Sequence, residues 1–94
     1  MNTLVWSPGF KRAFSRSIKR RPDLEDKITA ALKQLSQDAY HPSLHTHKLK
    51  GNLAGSWACK VDFEYRIVFE FVKDRDTQEE IILLEAIGTH DEVY

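Results

Sequence analysis

A histidine and a tyrosine sit four residues apart at the end of this 94-residue chain, in Gly88-Thr89-His90-Asp91-Glu92-Val93-Tyr94. They directly follow Ile81-Ile82-Leu83-Leu84-Glu85-Ala86-Ile87, an apolar run that reads as a buried strand, with Gly88 placed to release it. An imidazole exchanges protons near neutral pH and a phenol ring can stack on a base, so the pair has the tools for acid–base work on a nucleic acid. The same residues also fit a surface histidine beside a tyrosine that closes the core.

Cations accompany the pair. If side chains alternate along the strands, Lys60 and Arg66 project from adjacent strands onto one face, where they can bind a phosphodiester and stabilise charge developing on it. Alternatively Arg66 pairs with Asp62, Glu64 or Glu70 in a surface ion pair, which is worth little. In His47-Lys48-Leu49-Lys50-Gly51, Leu49 anchors the segment and leaves His47, Lys48 and Lys50 to solvent. His41, His45 and His47 fall close together, but no cysteine accompanies them at structural-zinc spacing, so no metal is expected. No phosphate-cradling glycine loop, nucleophile elbow or H-E-x-x-H is present, and no cofactor is expected.

The elements that must position these residues follow from periodicity. Thr3-Leu4-Val5-Trp6 is a strand candidate, and Ser7-Pro8 reads as an N-cap followed by proline at the first helical position. Phe10, Ala13, Phe14, Ser17 and Ile18 keep helical spacing, with Lys11, Arg12, Arg16, Lys19 and Arg20 on the other face. Pro22 can open a second helix, whose stripe is Leu24, Ile28, Ala31, Leu32 and Leu35. Trp57, Cys59, Val61 and Phe63 then alternate as the buried face of a strand, and Tyr65, Ile67, Phe69 and Phe71 as that of its hairpin partner, with Glu64 near the bend. Lys73 to Glu79 is a polar turn before the last strand. The order β-α-α-β-β-β predicts an α+β fold, a small antiparallel sheet with both helices on one side.

Length and composition fit one domain over residues 1–94, with 41% hydrophobic and 30% charged residues. No stretch approaches the roughly 20 apolar residues of a membrane span, and the opening residues lack a signal-peptide pattern, so a cytoplasmic protein without a membrane partner is expected. The lone cysteine, Cys59, reads as a buried thiol. Zero formal net charge conceals a split: residues 1–50 hold ten basic and four acidic side chains, and the rest four basic and ten acidic. Such a split can serve an anionic partner on one face, or be a solvated helix surface.

His47-Lys48-Leu49-Lys50-Gly51, Gly55-Ser56-Trp57-Ala58-Cys59-Lys60-Val61, Tyr65-Arg66-Ile67-Val68-Phe69 and Gly88 to Tyr94 together resemble the RelE/ParE superfamily of bacterial toxins. The similarity is strongest to the mRNA-interferase branch that includes YafQ, YoeB and RelE, and it spans nearly the whole chain. It implies a small twisted antiparallel sheet with two N-terminal helices, and a metal-independent endoribonuclease that cuts mRNA on the ribosome and so inhibits translation. In that chemistry the ribose 2′-hydroxyl attacks the adjacent phosphate, leaving a 2′,3′-cyclic phosphate. Arg66 falls where the family carries a phosphate-binding arginine, His90 where it carries a catalytic histidine, and His47 where YafQ-like proteins have another histidine. Tyr94 matches an aromatic beside the substrate, and Glu64 and Tyr65 match an acid followed by an aromatic. With Lys48, Lys50 and Lys60 as substrate contacts, Glu64 is the substitute for an acid or base that is otherwise unassigned. An additional arginine of some family enzymes is missing, since the candidate positions are Glu85 and Ala86. The implied partners are a cognate antitoxin, the ribosome and mRNA. The alternatives on the same fold are a ParE-like inhibitor of DNA gyrase and a non-catalytic antitoxin-binding module.

Overall fold

The computed structural model describes residues 2–94. The elements run β1 (Thr3–Trp6), α1 (Pro8–Arg20), α2 (Leu24–Gln37), β2 (His47–Lys48), β3 (Trp57–Lys60), β4 (Tyr65–Lys73), β5 (Glu80–Thr89) and α3 (His90–Val93). Short 3-10 turns occupy Pro42–Leu44 and Gly51–Leu53. One sheet has the order β1-β5-β4-β3-β2, with β1 parallel to β5 and the other neighbours antiparallel. The α+β architecture is the expected one, but β2 and α3 are added, and the sheet is mixed where an antiparallel one is expected, because β1 lies parallel to β5 at its edge.

α1 starts as its sequence dictates. The Ser7 hydroxyl accepts the Phe10 amide at 3.1 Å, and Pro8 fills the first turn, where no N–H is needed. α2 begins later than Pro22 suggested, at Leu24, because the Asp23 carboxylate turns to Arg21 at 2.8 Å instead of capping the helix. Phe10 from α1 and Leu24, Ile28 and Leu35 from α2 are buried in one cluster with Ile67, Phe69, Ile82 and Leu84 of the sheet. Each such large apolar side chain stabilises the fold by about 1.5–3 kcal/mol relative to exposure.

The bend between β3 and β4 departs from simple alternation. β3 ends at Lys60 because Asp62 captures the chain: its Oδ1 accepts the amides of Glu64 at 2.9 Å and Tyr65 at 2.7 Å. Its Oδ2 lies 2.9 Å from Nη2 of Arg21, at the junction of the two helices. The extended run breaks here, and Phe63, expected in the core, is 80% exposed. Burial pushes the Asp62 carboxyl up, but the Tyr65 and Glu64 amides and the Arg21 guanidinium outweigh it and hold the group below its ordinary value. A carboxyl lowered in this way contributes stability that is complete above its unfolded pKa of about 4 and is lost as pH falls through the lower folded value. Asp62→Ala, which strips two amides and Arg21 of their acceptor, is expected to cost on the order of 1–3 kcal/mol at neutral pH. Thermal melts followed by circular dichroism should show that deficit narrowing as pH drops below about 4.

Register decides which side chains share a face. His47 pairs with Ala58, Lys60 with Arg66, and Arg66 with Gly88, so these lie on the side of the sheet opposite the helices. Trp57, Ile67 and Phe69 face the helices, as expected. A bulge between Val68 and Phe69 leaves Glu85 outside the pairing. Ala58 and Val68 are buried on the helix-free side, so that face is not the polar surface that alternation implied. β5 also continues through Gly88 to Thr89, so Gly88 does not release the strand. A Cβ at Gly88 would lie 3.0 Å from Oε1 and 3.1 Å from Cβ of Glu92, so glycine there makes room for α3.

Candidate active site

α3 is a single helical turn, closed by reciprocal bonds. The Thr89 hydroxyl accepts the Glu92 amide at 3.3 Å, and Oε1 of Glu92 accepts the Thr89 amide at 2.9 Å. This turn places His90 and Tyr94 side by side, with ring centroids 4.4 Å apart and planes at 73°. The Tyr94 ring also meets His47 edge-on at 6.2 Å, and its hydroxyl lies 3.4 Å from Nε2 of His47. Tyr94 therefore bridges two imidazoles that lie far apart in sequence.

The tautomer of His47 follows from its contacts. Nδ1 lies 2.8 Å from the His45 carbonyl oxygen, which only accepts, so Nδ1 carries the hydrogen. Nε2 of the neutral ring then holds a lone pair directed at the Tyr94 hydroxyl. Burial, the largest cause, pushes the Tyr94 phenol up, Arg66 offsets part of that, and nearby Cys59 adds to it. A protonated phenol can donate to His47, and at 3.4 Å the bond is weak enough to yield to a better donor.

Among the described residues Arg66 has no ion-pair partner. Its Nη1 donates to the main-chain oxygens of Asp62 at 2.6 Å and Tyr65 at 3.0 Å, and among the described residues no carboxylate lies within 4.0 Å of it. Two carbonyls thus fix the guanidinium without neutralising it. Its register partner Lys60 shares the face. The Cys59 thiol is buried, and burial pushes it up to about 12, so it is no nucleophile.

The structure therefore groups His47, Arg66, His90 and Tyr94 on the helix-free side, with Lys60 on the same face. Other expected residues stand apart. Glu64 borders a shallow groove with Phe63, Thr89, His90 and Asp91, but its Oε1 is engaged by Nη1 of Arg21 at 3.1 Å. Tyr65 is 2% exposed, with the Arg21 guanidinium 5.6 Å from its ring centre, so it has no face to offer a base. It falls on the helix side because it continues the Ile67, Phe69 alternation. The Lys48 ammonium lies 5.5 Å over the Trp57 ring, and its strand position faces away from that of His47. Lys50 is exposed at the start of the Gly51–Leu53 turn.

Two features went unread in the sequence. Thr89-x-x-Glu92 is a capping-box signature that marks α3. Glu85 accepts the Ser56 hydroxyl at 2.9 Å, and burial, with the nearby Glu70 carboxylate, raises it. Among the described residues no three His, Cys, Asp or Glu side chains converge as metal ligands. No helix among them is long and apolar enough to cross a membrane.

Comparison with known proteins agrees with this arrangement. The fold matches YafQ from E. coli strain BL21(DE3) with a TM-score of 0.80 at 14% identity, covering 100% of this chain and 99% of that one. It matches the E. coli DinJ–YafQ complex at TM-score 0.78 and 17% identity, covering 100% and 99%. A YoeB/ParE toxin from Agrobacterium tumefaciens gives 0.74 at 18% identity, covering 94% and 98%. No curated protein matches significantly in sequence. The model of the family described as "Bacterial toxin of type II toxin-antitoxin system, YafQ" matches residues 2–94. With that match over all but the first residue, and a fold shared with YafQ itself, the chain belongs to the YafQ family of type II toxins.

Proposed function

We propose that this toxin is a metal-independent endoribonuclease acting on mRNA in the ribosome, with His47 as general base, His90 as general acid and Arg66 as the anchor for the reacting phosphate. Its family is one of type II toxins, and the resemblance of its motifs to mRNA interferases supports the ribonuclease reading. The observation that carries the assignment is the His47 tautomer: with Nδ1–H held by the His45 carbonyl, Nε2 is left to take a proton. Nε2 removes the proton of a ribose 2′-hydroxyl, which displaces Tyr94 from it. The 2′-oxygen attacks the adjacent phosphorus, and Arg66 stabilises the charge that builds on the equatorial oxygens. His90 protonates the departing 5′-oxygen, leaving a 2′,3′-cyclic phosphate and a 5′-hydroxyl.

Lys60 adds positive charge on the same face, and exposed Lys48 and Lys50 attract RNA from further out. Glu64, occupied by Arg21, is not needed as the base. A type II toxin has an antitoxin, and E. coli YafQ is found in complex with DinJ. For this chain, Lys11, Arg12, Arg16 and Lys19 on the outer face of α1 suit an acidic segment that folds on binding. Both encounters would take place in the cytoplasm.

Induction in cells, with mRNA 5′ ends mapped, tests this reading: translation should stop and new ends should appear within codons. A DNA-damage response with intact mRNA would instead indicate a gyrase inhibitor. Tyr94 gives a finer expectation. Its ring is half-exposed, and stacking on a base is worth about 1–3 kcal/mol, so Tyr94→Ala should weaken productive substrate placement by about 5- to 150-fold. Tyr94→Phe should keep most activity, because the hydroxyl only occupies Nε2 until substrate arrives. Single-turnover cleavage on programmed ribosomes measures both.

A further inference from the structure

We infer that Glu92 is the positioning residue of this site: it locks the α3 turn so that His90 and Tyr94 are held together over the helix-free face. The inference rests on the ribonuclease reading for its link to rate, but the lock itself is geometric.

Glu92 joins three elements. Through Oε1 it accepts the Thr89 amide at 2.9 Å, closing the capping box at the end of β5. Through Oε2 it meets Nη1 of Arg20, the last residue of α1, at 3.1 Å. Its side chain also packs over Gly88, where a Cβ would come within 3.0 Å of Oε1, 3.1 Å of Cβ and 3.2 Å of the neighbouring Val93 Cγ1. Gly88 in turn pairs with Arg66, so the seat of Glu92 lies directly beside the proposed phosphate anchor.

A four-residue helix has no stability of its own, since a nucleus this short costs more order than its hydrogen bonds return. Among the described residues the His90 ring has one polar contact, 3.7 Å to the fully exposed Asp91, too long to fix it. The position of His90 therefore depends on the turn, and the turn depends on Glu92. The Thr89 amide and Arg20 also hold the Glu92 carboxyl below its ordinary value, so the lock is charged at neutral pH. The exposed ion pair with Arg20 adds little. The capping bond and the seat on Gly88 are what fix the turn.

The test compares Glu92→Ala, Glu92→Gln and Gly88→Ala by NMR of the His90 ring, thermal melting and ribosome-programmed cleavage. In the wild type, the Tyr94 edge should displace the His90 ring signals by ring current. Glu92→Ala should return them to the positions of a mobile histidine. It should lower the cleavage rate at saturating ribosomes by about 10²-fold, the scale of an ångström misplacement, while the half-saturating ribosome concentration stays the same. The melting temperature should move by no more than a few degrees, since α3 lies outside the buried cluster. Glu92→Gln, which can still accept the Thr89 amide, should restore both signals and rate, and Gly88→Ala should reproduce the Glu92→Ala signature. Unchanged His90 signals in Glu92→Ala would overturn the inference, as would a Glu92→Gln defect as large as that of alanine. If the wild type cleaves no mRNA, the ribonuclease reading fails, and the His90 signals still decide whether Glu92 is the lock.

Discussion

His47→Gln should cleave ribosome-bound mRNA about 10²–10⁴-fold more slowly than the wild type in single turnover, the range typical for loss of a general base. Glutamine spans a similar length and can still meet the Tyr94 hydroxyl, but it cannot take a proton. The fold should survive, because His47 is exposed in a two-residue strand. A His47→Gln protein that cleaves as fast as the wild type would remove His47 from the reaction.

Arg66→Ala should lower the rate by about 10²–10³-fold, the usual cost of removing one charge-stabilising donor from a transition state. The carbonyls of Asp62 and Tyr65 hold its Nη1, so the guanidinium is fixed before substrate arrives. Arg66→Lys should recover little of the activity, since an ammonium cannot bond both carbonyls and still present a planar fork to phosphate. Melting should fall only modestly in either variant, because the Asp62 side chain keeps the turn closed through the Glu64 and Tyr65 amides. A large loss of stability in Arg66→Ala would recast Arg66 as a brace for the β3–β4 bend.

The elements that apolar spacing alone defines were legible in the sequence. α1, α2 and the face carrying Ile67 and Phe69 need only helical or alternating periodicity, and the structure has them. Phe63 leaves its expected place in the core, and Glu64 meets Arg21, because Asp62 pairs with Arg21 from 41 residues away, a pairing that no local pattern reveals. Resemblance alone pairs Tyr65 with the substrate, whereas its own alternation puts it in the core, where it lies. His47, His90 and Arg66 were named from residue type and resemblance. Two features exist only in the tertiary structure: the hydrogen bond that sets the His47 tautomer, and the way Tyr94 reaches back over the sheet. α3 was legible in principle, since Thr89-x-x-Glu92 is a capping box, but its brevity hid it beneath the end of β5.

On the proposed mechanism, two histidines and an arginine drive attack of a ribose 2′-hydroxyl on the neighbouring phosphate. End-group analysis of mRNA cut by the purified protein on programmed ribosomes tests it most directly. The expected products are a 2′,3′-cyclic phosphate on the upstream fragment and a 5′-hydroxyl on the downstream one, both absent with His47→Gln and His90→Gln on the same timescale. An upstream 3′-hydroxyl with a downstream 5′-phosphate would contradict the account, because water and not the ribose would then be the nucleophile.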